Sequence, residues 1–448
     1  MSTRVRIAPS PTGLLHIGNI RAALFNYLFA RKTGGQFMLR LDDTDGVRST
    51  QAFADAIKRD LSWLGLNWNT FGRQSDRLAR YADVLEQLKK EGHVYACYET
   101  QAELDLKRKT QLGRGLPPVY DRSALKLTQE DHKNFEAQGR KPHWRFKLTA
   151  TDVVWDDIIQ GRKSFPSSSL SDPVLVREDG VPLYTYCSVV DDVDDGTTHI
   201  IRGEDHVTNT AVQIQIWQAI TTISVPQFAH FPLIVSASGI EMSKRLGTLS
   251  IASMRDETYI EAMAINTLIA KLGTSDAIAP RLTLDDLVQE FDLRKISHST
   301  PKFDLEELKT INAKILHITP FSSVRERLSA MGLTSVDETF WNMARANITT
   351  LPDIRGWWQI ATGPVTPVIA DKEFLAQAAE NLPSGSWDLT TWGQWTDTLK
   401  AKTGRKGKDL FMPLRLALTT YDHGPEMKFL LPLIGERRAR ELLSGKAA

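Results

Sequence analysis

The chain has 448 residues, 42% of them hydrophobic and 24% charged, with a net charge of +1. That length exceeds what one hydrophobic core sustains, roughly 250–300 residues, so two or more domains are expected. The near-neutral balance excludes a uniformly basic protein and leaves any RNA to be held by local patches of Lys and Arg.

The opening segments read as a parallel sheet. Val5-Arg6-Ile7-Ala8 is a short strand stopped by Pro9 and Pro11. After a turn at Gly13 a helix begins near His16, with Ile17, Ile20, Leu24, Tyr27 and Leu28 on one face, and Gly34-Gly35 ends it. Phe37 to Leu41 is a second strand running into Asp42-Asp43-Thr44-Asp45, which makes a right-handed βαβ unit. A helix is expected over 75–90, with Ser75 as N-cap, Leu78, Tyr81, Val84, Leu85 and Leu88 as its apolar stripe, and Gly92 as its stop. From about Tyr95 to Tyr184 the pattern shifts to charged stretches and short amphipathic strands such as HWRFKL at 143–148, read as an α+β insertion. Parallel strands are expected to resume at Val189-Val190 and His199-Ile200-Ile201, followed by a helix over 208–219 and a strand at Leu233-Ile234-Val235. Beyond Ile251 the periodicity is helical. One helix covers 258–272, closed by Gly273, and four to six more follow Ser322. That tail carries five of the 11 tryptophans between Trp357 and Trp395, and a basic run from Lys400 to Lys408. The layout is a split α/β domain followed by an all-α C-terminal region.

Several function classes fall away. Two cysteines, Cys97 and Cys187, make neither a CxxC knuckle nor a disulfide framework. The N-terminus lacks the apolar core of a signal peptide, and no run of about 18 apolar residues occurs, so a cytoplasmic chain with no membrane partner is expected. No GxxxxGK[ST] loop is present, and no GxGxxG follows the first strand, which removes the P-loop and dinucleotide readings. Asp191-Asp192-Val193-Asp194-Asp195-Gly196 superficially resembles a calcium loop, but Val193 and Arg202 would stand where oxygen donors are needed. A negatively charged loop at a strand end is the expectation there.

Two segments carry chemistry. His16-Ile17-Gly18-Asn19 lies where a strand and a Pro/Gly turn feed a helix, whose unpaired N–H groups attract anions. Gly18 admits a nucleotide close to the backbone, and His16 can donate to a phosphate. Met242-Ser243-Lys244-Arg245 follows the last expected strand, and a lysine there suits phosphoryl oxygens whose charge shifts during reaction. Each segment alone is weak evidence.

In this order and context they resemble the paired signatures of class I aminoacyl-tRNA synthetases, His-x-Gly-His and Lys-Met-Ser-Lys-Ser. Arg6 through Gly13, Asp43-Thr44-Asp45, Val189 through Asp192 and Ile201 through Asp205 are similar to the glutamyl branch of bacterial type. The likeness continues through Phe411 to Arg415 and Leu431 to Gly435. It implies a Rossmann-type parallel sheet in two halves, 1–94 and 185–250, split by an acceptor-end-binding insertion at 95–184. A helical stem-contact domain at 251–321 and a helical anticodon-binding domain at 322–448 would follow.

The resemblance also implies an activity: ATP-dependent ligation of L-glutamate to the 3′ end of tRNA(Glu) through a glutamyl-adenylate, with Mg2+ travelling on ATP. His16 and Lys244 would be catalytic. His16, Gly18, Asn19, Asp205, Ser243 and Lys244 would bind ATP. Arg6, Ala8, Ser10, Asp42, Tyr184, Ser188 and Arg202 would bind glutamate, with Arg6 near the side-chain carboxylate and Asp42 at the α-amino group. Asp42 is one methylene shorter than the family's Glu, Ser188 stands where some relatives have Asn, and Glu241 and Arg245 replace the outer residues of the second signature. Some relatives carry a cysteine-rich zinc site in the insertion; only Cys97 lies there in this chain, so no zinc and no other resident metal is expected. A monomer is implied, and tRNA(Gln) is an alternative acceptor. Trp357, Trp358 and Arg405 are candidates to stack on anticodon bases, against the plainer reading of the tryptophans as core. A glutaminyl enzyme, a truncated paralogue and a silent RNA-binding module are disfavoured by the helical tail, by the chain length and by the two signatures.

Overall fold

Val5, Phe37 and Leu39 are buried side by side because β1 (Arg4–Ile7) and β2 (Gln36–Leu41) pair in parallel, with Val5 opposite Phe37 and Ile7 opposite Leu39. α1 (Ile17–Lys32) crosses between them, and after α2 (Gln51–Trp63), β3 (Thr70–Arg73) adds in parallel to β2. This is a computed structural model that describes residues 2–236, 238–239 and 250–448. The chain forms two units, 1–257 with 265–304 and 258–264 with 305–448.

After α3 (Leu78–Lys90) the insertion begins. β4 (Val94–Cys97) leads through α4 (Gln101–Gly113) and α5 (Gln129–Ala137) to β5 (His143–Phe146), which pairs antiparallel with β4. β6 (Val153–Asp157) and β7 (Gly161–Phe165) form an antiparallel ribbon, and β8 (Val174–Val176) returns to the outer edge of β5. α6 (Tyr184–Asp194), β9 (His199–Gly203), α7 (Val207–Ile220) and β10 (Gln227–Phe231) complete a second parallel unit, with Ala229 opposite Ile201. β6 joins the far side of β10 at Asp157 and Phe228.

The two halves meet along β1 and β9, where the Thr198 N–H donates to the Arg4 carbonyl at 3.0 Å and the Arg4 N–H to Thr198 Oγ1 at 2.8 Å. The spatial order is therefore β3-β2-β1-β9-β10-β6-β7. Chain direction across the sheet reverses between β1 and β9, and ligands of open α/β sheets bind outside the carboxyl ends of strands at such a point. The chain thus has a parallel Rossmann-like sheet, an α+β insertion and an α-helical C-terminal region. No helix among the described residues is long and apolar enough to cross a membrane.

Several expectations require correction. Val189-Val190 is not a strand but lies within α6, where Tyr186, Val189, Val190 and Val193 follow helical spacing and pack into the core. The β preference of two adjacent valines is overridden by that packing. The acidic run from Asp191 is accordingly on a helix and not in a loop, with Asp191 and Asp192 buried. The expected strand at 233–235 is broken earlier: Pro232 follows β10 and cannot donate to a ladder, and only Val235–Ser236 (β11) pairs, with Lys302–Phe303 (β12). Ser75 does not cap a helix. Residues 75–77 form a 3₁₀ turn, Ser75 N–H and Oγ both donate to the Asp43 carboxylate at 2.9 Å, and the α-helix starts at Leu78. The helix expected over 258–272 spans Ala262–Lys271, since Tyr259 adopts φ 53, a left-handed backbone no helix interior tolerates.

The helical C-terminal unit has its own core, with Trp341, Phe374, Trp395, Leu414 and Leu431 fully enclosed. Trp357 belongs to that core. Its indole N–H donates to the Asn347 carbonyl, and Gly424 lies so close that a Cβ there would come within 2.1 Å of the ring. It is not free to stack on a base. Trp358 is partly buried against Phe340, and Arg405 is held by Asp371 at 2.7 Å over the face of Phe374.

Candidate active site at the sheet switch point

β1 ends at Ile7 because Pro9 and Pro11 cannot continue a ladder, and the chain then turns back to start α1. His16 is the N-cap of α1. Its Nδ1 accepts the Gly18 N–H at 3.1 Å, and its own N–H donates to Asn19 Oδ1 at 3.1 Å. Burial holds the imidazole pKa below its ordinary value, so the ring is neutral. With Nδ1 accepting, the proton resides on Nε2, and His16 offers one N–H donor toward a ligand. Gly18 leaves room for the folded-back ring, from which a Cβ would stand 3.0 Å, so that the ring would have to shift to accept one.

A cavity of about 550 Å³ opens where β1, β9 and β10 end. Arg6, Ala8, His16, Gly18, Asn19, Tyr184, Arg202 and Asp205 all line it. A second cavity of about 390 Å³ is lined by Ser10, Asp42, Thr44, Asp45, Arg48 and Arg177, and Tyr184 borders both. The described residues expected to bind ATP and glutamate are therefore brought together, with one exception. Ser188 is fully buried and lines neither cavity. Its hydroxyl donates to the Tyr184 carbonyl and accepts from Gln213 Nε2 at 2.9 Å, so it lies behind the wall. Ser243 and Lys244, with Glu241 and Arg245, lie outside the described residues. Ser250, the first described residue after them, pairs with His16, and the Ile251 N–H donates to the Leu15 carbonyl.

The two arginines differ in their charge balance. Arg6 is neither solvated nor unpaired: its Nε and Nη2 donate to both oxygens of Asp192, at 2.9 and 3.1 Å. Asp192 also receives Arg40 Nη1 at 2.8 Å. Burial would raise its pKa, but the two guanidiniums hold it below the usual carboxylate range. Arg202 is equally buried but forms no ion pair with a carboxylate among the described residues. Its Nε donates to His230 Nε2 (3.4 Å), Nη1 to the Tyr184 hydroxyl (3.2 Å), and Nη2 to Thr210 Oγ1 (2.6 Å) and Gln213 Oε1 (2.7 Å). Burial lowers its pKa, as expected of a cation held by neutral acceptors. Asp42 has the opposite shortfall. Its Oδ1 accepts Arg40 Nε at 2.8 Å, while buried Oδ2 accepts from no described residue. Burial pushes its pKa up to about 6 despite Arg40.

The site contains residues with no sequence signal of their own. Thr210, Gln213 and His230 surround Arg202, and His206, its pKa lowered to about 4 chiefly by burial, lines the cavity beside Asp205. Thr210 and Gln213 sit three apart on α7, a spacing that marks a shared face without naming its target. For metals, one trio of described residues has suitable atoms close together, Cys97, Glu99 and His143. Burial raises the Cys97 thiol pKa to about 12, and Glu99 Oε1 already accepts from Tyr120, Ser123 and Lys107. Glu99 Oε2 and His143 Nε2 accept from no described residue, so an ion bound there would have to displace the thiol proton.

Residues 2–310 match the catalytic domain of class I tRNA synthetases (E and Q), and residues 368–444 match an anticodon binding domain. The chain is 56% identical to the glutamate–tRNA ligase of Azospirillum brasilense and 51% identical to glutamate–tRNA ligase 1 of Maricaulis maris, in each case over all of both chains. Among solved structures, a glutamate tRNA ligase from Elizabethkingia meningosepticum in complex with its amino acid superposes with a TM-score of 0.86 at 27% identity, covering 99% of this chain and 98% of that one. Glutamate-tRNA synthetase from Elizabethkingia anophelis gives 0.84 at 26% identity, covering 99% of both. On its sequence and its fold alike, the chain belongs to the class I tRNA synthetases for glutamate and glutamine.

Proposed function

We infer that the chain is a glutamate–tRNA ligase, which uses ATP to form glutamyl-adenylate and then transfers the glutamyl group to the 3′ end of tRNA(Glu). The observation that carries the choice of amino acid is Arg202, a buried guanidinium at the carboxyl end of β9 whose described partners are all neutral. A side-chain carboxylate is the anion that fits it, and the pairing is planar and charge-assisted. Asp42, with one buried oxygen that accepts nothing from the described residues, is assigned to the α-ammonium on the other side of Tyr184. Arg6 has committed Nε and Nη2 to Asp192, so its Nη1 supplements Arg202. Ala8 and Ser10 line the path between, and Ser188 acts indirectly through Gln213 and Tyr184.

The chemistry needs no side-chain nucleophile. The α-carboxylate of glutamate attacks the α-phosphorus of MgATP, pyrophosphate leaves, and the terminal ribose hydroxyl of the tRNA then takes the acyl group. The protein supplies position and charge. His16 donates from Nε2 to phosphate oxygens, beside the N–H groups that open α1, and Gly18, Asn19 and Asp205 border the nucleotide. Ser243 and Lys244 are assigned to the departing pyrophosphate on the resemblance of their segment. The insertion at 95–184 is assigned to the acceptor end, 251–321 to the stem and 322–448 to the anticodon. The match of 368–444 to an anticodon binding domain supports the last of these. On this reading the enzyme is a cytoplasmic monomer with no zinc.

Charging assays with purified tRNA(Glu) and tRNA(Gln) test the proposal. Glutamate should be ligated to tRNA(Glu) with release of AMP and pyrophosphate, and ATP–pyrophosphate exchange should require tRNA. Robust exchange without RNA would contradict the glutamyl assignment, and equal charging of tRNA(Gln) would widen the acceptor range.

A further inference from the structure

His230 and Asp157 are both fully buried and joined by the shortest contact around the cavity, His230 Nδ1 to Asp157 Oδ2 at 2.5 Å. Asp157 ends β6, on the ribbon of the insertion, and stands opposite Phe228 of β10. Its Oδ1 accepts three backbone N–H groups, from Ile159, Gln160 and His230, at 2.9–3.1 Å. Although burial would raise its pKa, the imidazole and these N–H groups keep it below the ordinary value, so Asp157 is a fixed anion. An anion at Nδ1 requires a proton on Nδ1. Burial holds the ring neutral, and Nε2 is therefore a bare acceptor. That acceptor faces Arg202 Nε at 3.4 Å and Thr210 Oγ1 at 2.9 Å, and Thr210 in turn takes Arg202 Nη2.

We infer that Asp157 and His230 are positioning residues for this enzyme: Asp157 fixes the His230 tautomer, and the bare Nε2 holds the Arg202 guanidinium in the plane that receives the side-chain carboxylate of glutamate and rejects glutamine. This rests on the reading that Arg202 receives that carboxylate. The opposite tautomer would point an N–H at the N–H of Arg202, and the guanidinium would turn away. The arrangement also ties the insertion, through its ribbon, to amino-acid selection at the sheet.

The test is steady-state charging of tRNA(Glu) by the full-length enzyme, with KM for glutamate and for ATP measured separately, with glutamine as a competing amino acid, and with thermal unfolding as a fold control. His230→Leu removes the acceptor. Asp157→Asn releases the tautomer. His230→Gln keeps an oxygen acceptor near the position of Nε2 with no tautomer to fix. His230→Leu and Asp157→Asn should raise KM for glutamate roughly ten- to hundred-fold, with KM for ATP unchanged and kcat little altered, and should erode preference for glutamate over glutamine. His230→Gln should recover most of the loss, and adding Asp157→Asn to it should cost little more. The inference is overturned if His230→Gln is as impaired as His230→Leu, or if both KM values and the unfolding temperature move together. Should His230→Leu fail to fold, the Asp157→Asn and His230→Gln pair decides alone. Arg202→Met, measured alongside, separates the two levels. A wild-type KM for glutamate in Arg202→Met refutes the reading of Arg202 itself. A raised KM there, with Asp157→Asn and His230→Gln both at wild-type values, refutes only the positioning role.

Discussion

A guanidinium folded away from water against neutral acceptors is poorly stabilised until an anion joins it, and Arg202 is in that state. Truncating one partner of a buried charge pair costs about 2–5 kcal/mol, so Arg202→Met should raise KM for glutamate by about two orders of magnitude while leaving ATP affinity near wild type. Asp42 gives a second test, through pH. Its folded pKa of about 6 lies above the unfolded carboxylate value, so its ionised form is disfavoured by the fold. Its contribution to stability is therefore most favourable below the unfolded value and is lost as pH rises toward 6. Ammonium binding has the opposite sign, because only the ionised form can accept it. KM for glutamate should rise as pH falls below about 6 and level off above it, whereas Asp42→Asn should have a high, flat KM over the same range. Asp195, also pushed up to about 6 by burial, lines neither cavity, and the Asp42→Asn profile separates the two. Arg6, His16, Asp42 and Arg202 were legible because strand ends and a helix start can be read from local pattern. The Arg6–Asp192 pair was not, since its members are 186 residues apart and Asp192 reads locally as part of a charged loop after a strand.

Scale matters for that misassignment too. α6 is amphipathic in an unusual sense, one face apolar and another carrying carboxylates that are fully buried. Asp191 accepts from Arg77 Nε, Gln74 Nε2 and the Tyr81 hydroxyl, and Asp192 from Arg6 and Arg40, so this helix clamps β1, β2 and α3 together. Local propensity could not show this, because the partners come from elements more than 100 residues away. Breaking a buried pair costs about 3–5 kcal/mol, so Asp192→Asn should lower unfolding free energy by that order in urea titrations. A loss under about 1 kcal/mol would mean that the clamp is dispensable. In the insertion, the hydrogen bonds of Glu99 to Tyr120, Ser123 and Lys107 join the end of β4 to the loop at 120–123, and the Cys97 thiol beside them is held protonated by burial. Metal analysis after dialysis should accordingly find no stoichiometric zinc, and one retained equivalent would refute this.

A substrate as anionic as tRNA meets a protein of net charge +1, so affinity has to come from where the positive charges are and not from how many there are. The catalytic unit commits much of its arginine internally: Arg6, Arg40, Arg77 and Arg80 are paired with Asp42, Asp191, Asp192 and Asp194. In the helical unit the balance differs. Helix Thr391–Thr403 ends in Lys400 and Lys402, Gly404 breaks it, Lys406 follows, and Lys408 opens the next helix, Lys408–Thr419. All four lysines are exposed, while Arg405 among them is held by Asp371. Lys400 and Lys402, at a helix C-terminus, are favoured by the dipole whatever their role, so their position alone does not assign them to RNA. The discriminating quantity is salt dependence. If the patch meets phosphates, changing all four to Gln should raise KM for tRNA about ten-fold or more near physiological salt and flatten the log–log salt dependence by about 0.7 for each phosphate no longer neutralised. KM for glutamate and the unfolding temperature should stay at wild-type values, because none of the four lies in the helical core or lines either cavity. An unchanged salt slope would show that the run is an ordinary solvated helix end, and that RNA is gripped elsewhere on the unit.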